Sequence, residues 1–507
     1  MPTRYREVEI KLDAPDDAAV PPLDRLDGVA AVDEPVEQQL SATYFDTEGG
    51  ALAAARISLR RRTGGDDAGW HLKVPARGDG RDELRLPLGR ARTSVPAELR
   101  EAAQLFVRDE PLRPIAELRT RRVAHRLRDA AGRVLVEVAD DTVVARTLPD
   151  GEPMTWREWE VEVVDGDPGL LDAAIALLGE AGAKPAASRS KLARVLGDDR
   201  AATASEPALS LAPQSEAREV LQPALRAQVD ALRIHDPLVR ADVDGGVHRM
   251  RVAARRLRSI LATFRPLLDS EAVERIRREL RWIAGELGAA RDAEVQRRRL
   301  AQLVAAQPVE LVLGRVAQRI DDDLRTHRRS AHAAVLEAMR SERYLALMDD
   351  LQRFAEAPPW TADASRTAAD VLRSRMRREH RRMRRRIDAA DTATDAAARD
   401  GLLHEARKAA KRARYAAEVL APAFNKPAER LARAAKRVQS VLGEQHDTVV
   451  AREALRDLGV RAHLDGDNAF SFGLLHAQER AAAASLEGEM ARAQAKAVRP
   501  RLRRWLD

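Results

Sequence analysis

The hydrophobic pattern changes period once along the chain. Up to about residue 197, apolar and charged positions alternate, which is the period of a β-strand. Glu7-Val8-Glu9-Ile10-Lys11-Leu12 sets its charges on one side and its apolar groups on the other. The same alternation marks Ser58-Leu59-Arg60-Arg61-Arg62, His71-Leu72-Lys73-Val74, Arg81-Asp82-Glu83-Leu84-Arg85-Leu86, Arg119-Thr120-Arg121 and Glu158-Trp159-Glu160-Val161-Glu162-Val163. Turn-forming segments at 63–67, 77–80 and 149–151 separate them. Many short strands with turn signals between them predict an antiparallel sheet or barrel.

From about residue 216 the period is 3.6, and long Ala/Leu/Arg/Glu segments predict an all-helical region. Helix breaks are expected at Asp236-Pro237, Gly245-Gly246, Gln307-Pro308, Pro358-Pro359, Asn425-Lys426-Pro427 and Gly466-Asp467-Asn468. The Ala/Ser/Pro-rich segment 198–215 reads as a flexible tether. The expected architecture is an α+β multidomain chain. It has a β domain over 1–197, a linker over 198–215 and a helical domain over 216–507.

Within the helical part a basic segment occurs twice. One copy is Val247-His248-Arg249-Met250-Arg251-Val252-Ala253-Ala254-Arg255-Arg256-Leu257-Arg258, and the other is Leu403-His404-Glu405-Ala406-Arg407-Lys408-Ala409-Ala410-Lys411-Arg412-Ala413-Arg414. At about 100° per residue, His248, Arg251, Arg255 and Arg258 share one stripe. His404, Arg407, Lys411 and Arg414 share the matching stripe. Met250, Leu257, Ile260 and Leu261 fall on the back of the first helix, and Ala406, Ala413, Ala416 and Ala417 on the back of the second. Neither stripe contains an acid, whereas an ordinary solvated face sets acids four positions from bases. An unbalanced cationic stripe repels itself and calls for a polyanionic partner. Taken singly, either copy would pass for a surface helix of an Arg-rich protein.

The repeat extends further. Leu287-Gly288-Ala289-Ala290-Arg291-Asp292 recurs as Leu442-Gly443-Glu444-Gln445-His446-Asp447, and Arg278 and Arg281 correspond to Arg433 and Lys436. One shared offset predicts an internal duplication that brings both stripes to a common groove. A third basic run holds Arg377, Arg378, Arg381, Arg382, Arg384, Arg385 and Arg386, with Met376, Met383 and Ile387 on its apolar side. It either widens that groove or is a solvated face. His248 and His404 have no second His or Cys at ligand spacing on their helices. They are expected to donate to phosphate and to gain charge as pH falls, with structural packing as the alternative.

Composition narrows the function. Cysteine is absent, which excludes disulfides, thiolate catalysis and Cys-ligated metal. No signal-peptide core and no bilayer-length apolar run is present, so a cytoplasmic protein without a membrane partner is expected. The net charge of +7 hides an asymmetry: residues 1–200 carry −7 and the remainder +14. Aromatic residues make up 3% of the chain, and no Tyr or Phe series interleaves the basic helices, which disfavours nucleic acid bound by base stacking. A duplex held through backbone charge alone stays open.

The charged faces of the strands are unusual in kind. They carry pure carboxylate (Glu158, Glu160, Glu162) or nearly pure base (Arg60, Arg62, Lys73). If the sheet curls with these faces inward, acids oppose bases in its lumen. Clustered carboxylates repel unless a hard cation such as Mg²⁺ or Mn²⁺ lies between them. Clustered Arg and Lys suit phosphate oxygens. The alternative is a solvated sheet with cross-strand ion pairs.

Glu7-Val8-Glu9-Ile10-Lys11 resembles the signature of the CYTH superfamily, the triphosphate tunnel metalloenzymes. Tyr44-Phe45-Asp46-Thr47, Leu59-Arg60-Arg61-Arg62, Trp70-His71-Leu72-Lys73, Arg81-Asp82-Glu83, Asp140-Asp141, Glu158-Trp159-Glu160-Val161-Glu162 and Ser188-Arg189-Ser190-Lys191 follow in the family's order. The resemblance covers essentially all of 1–197. It implies an eight-stranded antiparallel β-barrel tunnel that hydrolyses or rearranges triphosphates with a divalent metal. It implies Glu7, Glu9, Glu160 and Glu162 as metal-site carboxylates, and with Lys11 as the catalytic set. Lys11, Arg60, Arg62 and Lys73 match triphosphate-binding bases, and Glu83 with Asp140 or Asp141 match further lumen acids. Arg119 and Arg121 fit the basic strand, with Arg122 as the alternative if the register slips by one. The implied chemistry is in-line attack by water on a terminal phosphoryl group. The triphosphate's identity and a cyclase activity stay open.

The two His-Arg helices, with 287–292 and 442–447, resemble the CHAD domain over about 216–500. That resemblance implies binding of inorganic polyphosphate through the stripes and through Arg278, Arg281, Arg433 and Lys436. Lys411 stands where the first copy has Arg255, which keeps the charge and loses the bidentate fork. The expected protein is a metal-dependent triphosphate phosphohydrolase with a C-terminal polyphosphate-binding domain, associated with polyphosphate granules. The alternative is a non-catalytic scaffold whose tunnel only senses.

Overall fold

The alternating segments form one antiparallel sheet of eleven strands: β1 (Thr3–Glu7), β2 (Glu9–Asp13), β3 (Ala31–Val32), β4 (Val36–Asp46), β5 (Ser58–Thr63), β6 (Gly69–Pro75), β7 (Arg81–Leu86), β8 (Arg113–Arg128), β9 (Val134–Thr147), β10 (Met154–Val163) and β11 (Lys184–Pro185). The computed structural model describes residues 2–7, 9–76, 80–89, 94–167, 169–197 and 210–507. It resolves into two units, residues 1–208 with 236–244, and 209–235 with 245–507.

The strand order is β1-β7-β6-β5-β4-β8-β9-β10-β2-β11, with β3 on β8. This ladder is open, and it has eleven strands where a closed eight-stranded barrel was expected. The excess has simple sources. The N-terminal strand is divided into β1 and β2, and β3 and β11 are two-residue additions. Consecutive in the chain, β1 pairs with β7 while β2 pairs with β10. One stretch of backbone therefore reaches both sides of the row, and the sheet must curl to allow it. Inner and outer faces follow from that curl.

The apolar half of the alternation faces out. Leu12, Val136, Val138, Trp159 and Val161 pack against α4 (Gly169–Glu180). Leu59, Trp70, Leu72, Val74 and Leu84 pack with residues of α1 (Ala51–Ala54), α2 (Ala97–Ala102) and α3 (Gln104–Val107). Each fully buried Leu there contributes about 1.5–3 kcal/mol. On the inner face, Leu192 and Val195 of α5 (Lys191–Val195) pack onto Tyr44, Leu118, Val143 and Trp156. The turn after β5 needs glycine: Gly64 has φ 81°, and a Cβ would come within 2.0 Å of the Gln39 carbonyl oxygen.

The second part of the chain is helical: α6 (Ala217–Arg240), α7 (Gly246–Thr263), α8 (Ser270–Ala305), α9 (Val316–Arg340), α10 (Glu342–Glu356), α11 (Ala368–Asp391), α12 (Ala396–Phe424), α13 (Lys426–Leu464), α14 (Phe470–Ser485) and α15 (Glu487–Ala497). Every expected break falls between helices except Asp236-Pro237. There α6 runs on to Arg240, whose guanidinium donates to Asp236 one turn back at 2.8 Å, both side chains fully buried. Of the expected tether, 198–209 lies outside the described residues. Residues 210–215 are not loose: the Ser215 and Pro213 carbonyls accept from Ala368 and Ala369 at 2.8 Å. The duplication is visible as α7 on α8 and α12 on α13, with α7 also packed on α12. Met250, Leu257 and Leu261, like Ala406, Ala413 and Ala417, are fully buried, as the amphipathic reading requires. Among the described residues, no helix is long and apolar enough to cross a membrane.

Candidate active site and cationic groove

Strand parity builds the first site. Glu9 and Lys11 of β2, Arg60 and Arg62 of β5, Lys73 of β6, Arg122 of β8, Asp141 of β9 and Glu160 and Glu162 of β10 line one cavity of about 270 Å³. In register, Glu160 opposes Lys11 and Glu162 opposes Glu9, while Glu158 opposes Asp141. One of these pairs sets an acid beside a base and the other two set acid beside acid, so carboxylates cluster on β2, β9 and β10.

Glu160 is the hub of the acidic side. It accepts from Lys11, Arg122 and Lys191. Lys191 reaches Asp141 at 2.8 Å, Glu158 at 2.7 Å and Glu160 at 2.6 Å. Arg122 grips Asp141 with two hydrogen bonds, 2.8 and 2.7 Å. Burial alone would raise the Glu160 carboxyl, but Lys11, Lys191 and Arg122 outweigh it and hold it well below the ordinary range. Burial likewise opposes ionisation of Glu9, yet Lys11 and Lys73 bring it to about 2. Lys191 is raised despite its burial, by Glu160, Asp141 and Glu158.

The donor set fits a hard divalent cation: it is carboxylate oxygens only, and Glu9, Asp141 and Glu160 are held ionised. Oxygens of Asp141, Glu158 and Glu160 lie within 4.8 Å of one another. Lys191 already serves that trio, so an ion sharing it would displace the ammonium. Glu9 and Glu162 offer a second carboxylate pair across β2 and β10.

The basic side rests on Glu83. This fully buried carboxylate accepts from Arg85 at 2.5 Å and lies 2.9 Å from His71 Nδ1, with Arg60 and Lys73 each at 3.8 Å. Burial first, then Arg60, lowers the His71 pKa to about 4, although Glu83 opposes this. Burial, Arg60 and Arg122 lower Arg62 to about 9. Bases this crowded are stabilised by an anion among them.

The structure corrects part of the sequence reading. Arg119 is exposed. Arg121 is paired with Glu37 at 2.6 Å on the outside. Leu118, Thr120 and Arg122 are the inward residues of β8, so its register is the slipped alternative. Asp141 is inside, whereas Asp140 is bound to Arg157 at 2.7 Å away from the cavity lining. The side chain of Glu7 lies outside the described residues. Lys191, Glu158 and His71 were not singled out as site residues. Lys191 carried a signal nonetheless, since Ser190 caps α5 by accepting from Ala193 at 3.1 Å and so fixes the turn that aims it.

In the helical unit, the two stripes meet. Arg251 lies over Gly288 and Arg407 over Gly443, where added Cβ atoms would stand 3.6 and 3.4 Å from the guanidinium nitrogens. Arg251 also faces Asp292 at 3.6 Å, and Arg407 feels Asp447, its counterpart in the other copy. Burial and then Arg407, Arg255 and Arg251 lower Lys411 to about 7. Arg255 donates to the Tyr415 hydroxyl at 3.3 Å. Arg258 is depressed by burial and by Arg281 and Arg277. Two expected contacts are diverted: Arg414 pairs with Glu418 at 2.6 Å, and Arg433 with Glu429 at 3.2 Å. Arg278, Arg281 and Lys436 are exposed on α8 and α13.

The histidines also need correction. His248 stands beside Arg249, Arg251, Arg255 and Arg291, and His404 packs against His446 with ring centroids 4.7 Å apart and planes tilted by 47°. Partial burial and neighbouring cations lower both to about 4. They stay neutral through mildly acidic pH, because a further positive charge in a cationic groove is disfavoured.

Comparison with known proteins agrees with this division. The CYTH domain family matches residues 5–195 and the CHAD domain family matches 223–456. Two uncharacterized proteins, from two strains of Mycobacterium tuberculosis, are each 39% identical over 495 residues, 94% of this chain and 93% of theirs. The CHAD domain from the plant Ricinus communis is similar with a TM-score of 0.45 and 25% identity, over 57% of this chain and 94% of that one. PptA from Streptomyces chartreusis has a TM-score of 0.45 and 23% identity, over 55% of this chain and 99% of that one. The chain belongs to the proteins that join an N-terminal CYTH domain, of triphosphate-tunnel type, to a C-terminal CHAD domain.

Proposed function

We propose that the first unit is a Mg²⁺- or Mn²⁺-dependent triphosphate phosphohydrolase and that the second holds inorganic polyphosphate, so that the protein works at polyphosphate granules. The observation that carries this is one cavity in which Glu9, Glu160 and Glu162 face Arg60, Arg62 and Lys73. Arg60, Arg62 and Lys73 bind the phosphate oxygens, and their mutual repulsion is relieved as the anion enters. Glu9, Glu160 and Glu162, with Asp141 and Glu158 behind them, would hold the metal. When bound, it supplies Lewis-acid stabilisation of charge on the phosphoryl oxygens. Arg62 and Arg122 neutralise charge that develops on the leaving phosphate. Glu83 and His71 fix the base wall from beneath.

Phosphate release from a panel of inorganic tripolyphosphate, thiamine triphosphate and nucleoside triphosphates tests the reading. Glu9→Gln and Glu162→Gln should each lower release at least 100-fold while the fold persists. Unchanged release in both would refute the assignment. One observation favours a second reading, a non-catalytic scaffold: Lys11, Lys191 and Arg122 already compensate Glu160 without metal. No release by the native protein on any of these triphosphates, with metal supplied, would establish that reading instead. For the helical unit, Arg251→Ala with Arg407→Ala should weaken polyphosphate binding and flatten its salt dependence. Tripolyphosphate cleavage should be largely unchanged, and a parallel fall in cleavage would refute two separate sites.

A further inference from the structure

A second basic cavity lies elsewhere in the helical unit. It measures about 770 Å³ and is formed by the end of α7 and the segment after it, with α11 and α12. Five of its arginines, Arg375, Arg378, Arg382, Arg385 and Arg386, lie on α11. They follow one another at steps of three, four, three and one residues, a row about 16 Å long at about 1.5 Å per residue. Arg265 and Arg412 complete the lining, and the one acid is Glu379.

The basic run from the sequence therefore lines a cavity with the end of α7 and with Arg412 of α12, and is not a plain solvated face. Adjacent residues of α12 serve the two cavities. Lys411 is among the stripe arginines Arg251, Arg255 and Arg407, whereas Arg412 donates to the Ala262 carbonyl at 3.0 Å and to Thr263 Oγ1 at 3.2 Å, and pairs with Glu379 at 2.8 Å. Successive helical residues point about 100° apart.

The pairing state of these arginines is the telling feature. Many arginines of this unit outside the α7/α12 stripe are neutralised, as in Arg297–Asp321 at 3.0 Å, Arg299–Glu479 at 2.8 Å, Arg319–Asp467 at 2.6 Å and Arg343–Glu279 at 2.6 Å. Among the described residues, none of the five on α11 makes a hydrogen bond or ion pair. Glu379 is nearly fully buried, and its pKa is raised by burial against the pull of Arg412, Arg382 and Arg378. Its second oxygen has no partner. Guanidinia that outnumber the nearby acids Glu379 and Glu405 destabilise a helix face. A ligand that supplies the missing negative charges reverses the sign.

We propose that this cavity is a second anion site, separate from the α7/α12 stripe, that takes a short linear inorganic oligophosphate. A single phosphate engages two or three guanidinia and leaves the rest of the row unpaired. A linear chain offers oxygens along the whole row. No aromatic side chain lines the cavity, so a nucleobase finds no stacking platform. Guanidinium forks match phosphate oxygens bidentately, which suits arginine rather than lysine at every basic position. Glu379 opposes the ligand's charge and sets an upper bound on affinity.

Hydrogen exchange of the full chain, without divalent metal so that no turnover occurs, locates the ligand. Sodium tripolyphosphate should slow exchange over 374–388 and 410–414. Arg378→Gln with Arg385→Gln, both exposed positions that leave the core intact, should raise the half-saturating concentration at least ten-fold. Glu379→Gln, which keeps the acceptor for Arg412 and removes the negative charge, should lower it about three-fold or more. Arg251→Ala with Arg407→Ala should leave this segment's response unchanged. No slowing over 374–388 at millimolar tripolyphosphate overturns the proposal, and so does a response lost in the Arg251/Arg407 variant. Stronger protection by duplex DNA at matched phosphate and salt overturns it in favour of nucleic acid. Peptides covering 158–163 report the tunnel in the same run, so failure there and failure here are separately visible.

Discussion

The two units gather positive charge for phosphate in opposite ways. In the sheet, the bases beside the carboxylates are matched by acids, and Glu160 alone engages Lys11, Arg122 and Lys191. That network is charge-balanced before any ligand arrives, so its members titrate far from neutrality. In the groove between α7 and α12, arginines face arginines, and the acids Asp292 and Asp447 stand at the margin. There the shifts run the other way, and Lys411 comes down to about 7. A balanced buried site fixes geometry, which suits chemistry on a bound triphosphate. An unbalanced site is completed by its ligand, which suits grip on a long polyanion.

The sharpest way to break the balanced site is to remove its central cation. Lys191→Met leaves Asp141, Glu158 and Glu160 buried with one compensating charge fewer. Loss of a buried partner costs about 3–5 kcal/mol, which for a unit of this size lowers Tm by on the order of 10 °C. Calorimetry of the full chain should show the drop in one transition, and metal-dependent phosphate release should fall with it. A variant with native Tm would mean that Lys191 is not needed to balance the acids. Restoration of Tm by added Mg²⁺ or Mn²⁺ would show that a divalent ion takes the ammonium's place.

A second, smaller contrast lies within β8. Arg122→Lys keeps charge but loses the bidentate bond to Asp141, and release should fall about 10- to 100-fold. Arg121→Ala removes only an exposed pair with Glu37, so release should stay within about two-fold of native. Equal losses in the two would mean that the register places the wrong arginine inside.

This pair of arginines also shows how far the sequence could be read. Period-two alternation identified β2, β5, β6, β7 and β10 because charge and apolar residues strictly take turns there. It gave no signal for β4 and β9, where Val143-Val144 and Gln38-Gln39 break the alternation. In β8, Arg119, Arg121 and Arg122 are all basic, so composition could not say which parity faces the lumen. Only pairing with β4 and β9 sets it. Helical stripes were legible because one face is apolar throughout, and Met250, Leu257 and Ala413 are buried as expected. Pairing was not legible: Arg414 looks like a free stripe residue until Glu418, one turn on, is seen to claim it. Pro237 likewise looked like a break, and the buried Asp236–Arg240 pair spans it.

In the unbalanced groove, the glycines of the repeat give the next test. Gly443→Ala should gain up to about 1 kcal/mol of helix stability. Its Cβ would stand 3.4 Å from the Arg407 guanidinium and fill the space over which that group lies. Polyphosphate affinity, measured by titration calorimetry, should fall about 3- to 10-fold, roughly 1 kcal/mol. Greater stability with unchanged affinity would show that Arg407 needs no flat seat to work.

The smallest expected effect separates the two sites by pH. Lys411 has a pKa of about 7 because burial and Arg407, Arg255 and Arg251 disfavour its charge. A bound polyanion removes that penalty and raises the pKa, so binding takes up a proton. Affinity must therefore be highest below about pH 7 and decline as pH rises toward the bound-state value. The His pair is neutral in this window before the polyanion binds, since burial and the neighbouring cations lower both to about 4. Lys411→Arg keeps this side chain charged throughout and should flatten the profile, with affinity at pH 8 raised about three-fold over native. Tunnel binding of tripolyphosphate should show no step from Glu9 or Glu160, because both are ionised across the whole range. A native profile already flat between pH 6 and 8 would mean that Lys411 is charged at all times, and that the groove is better compensated than its arginines suggest.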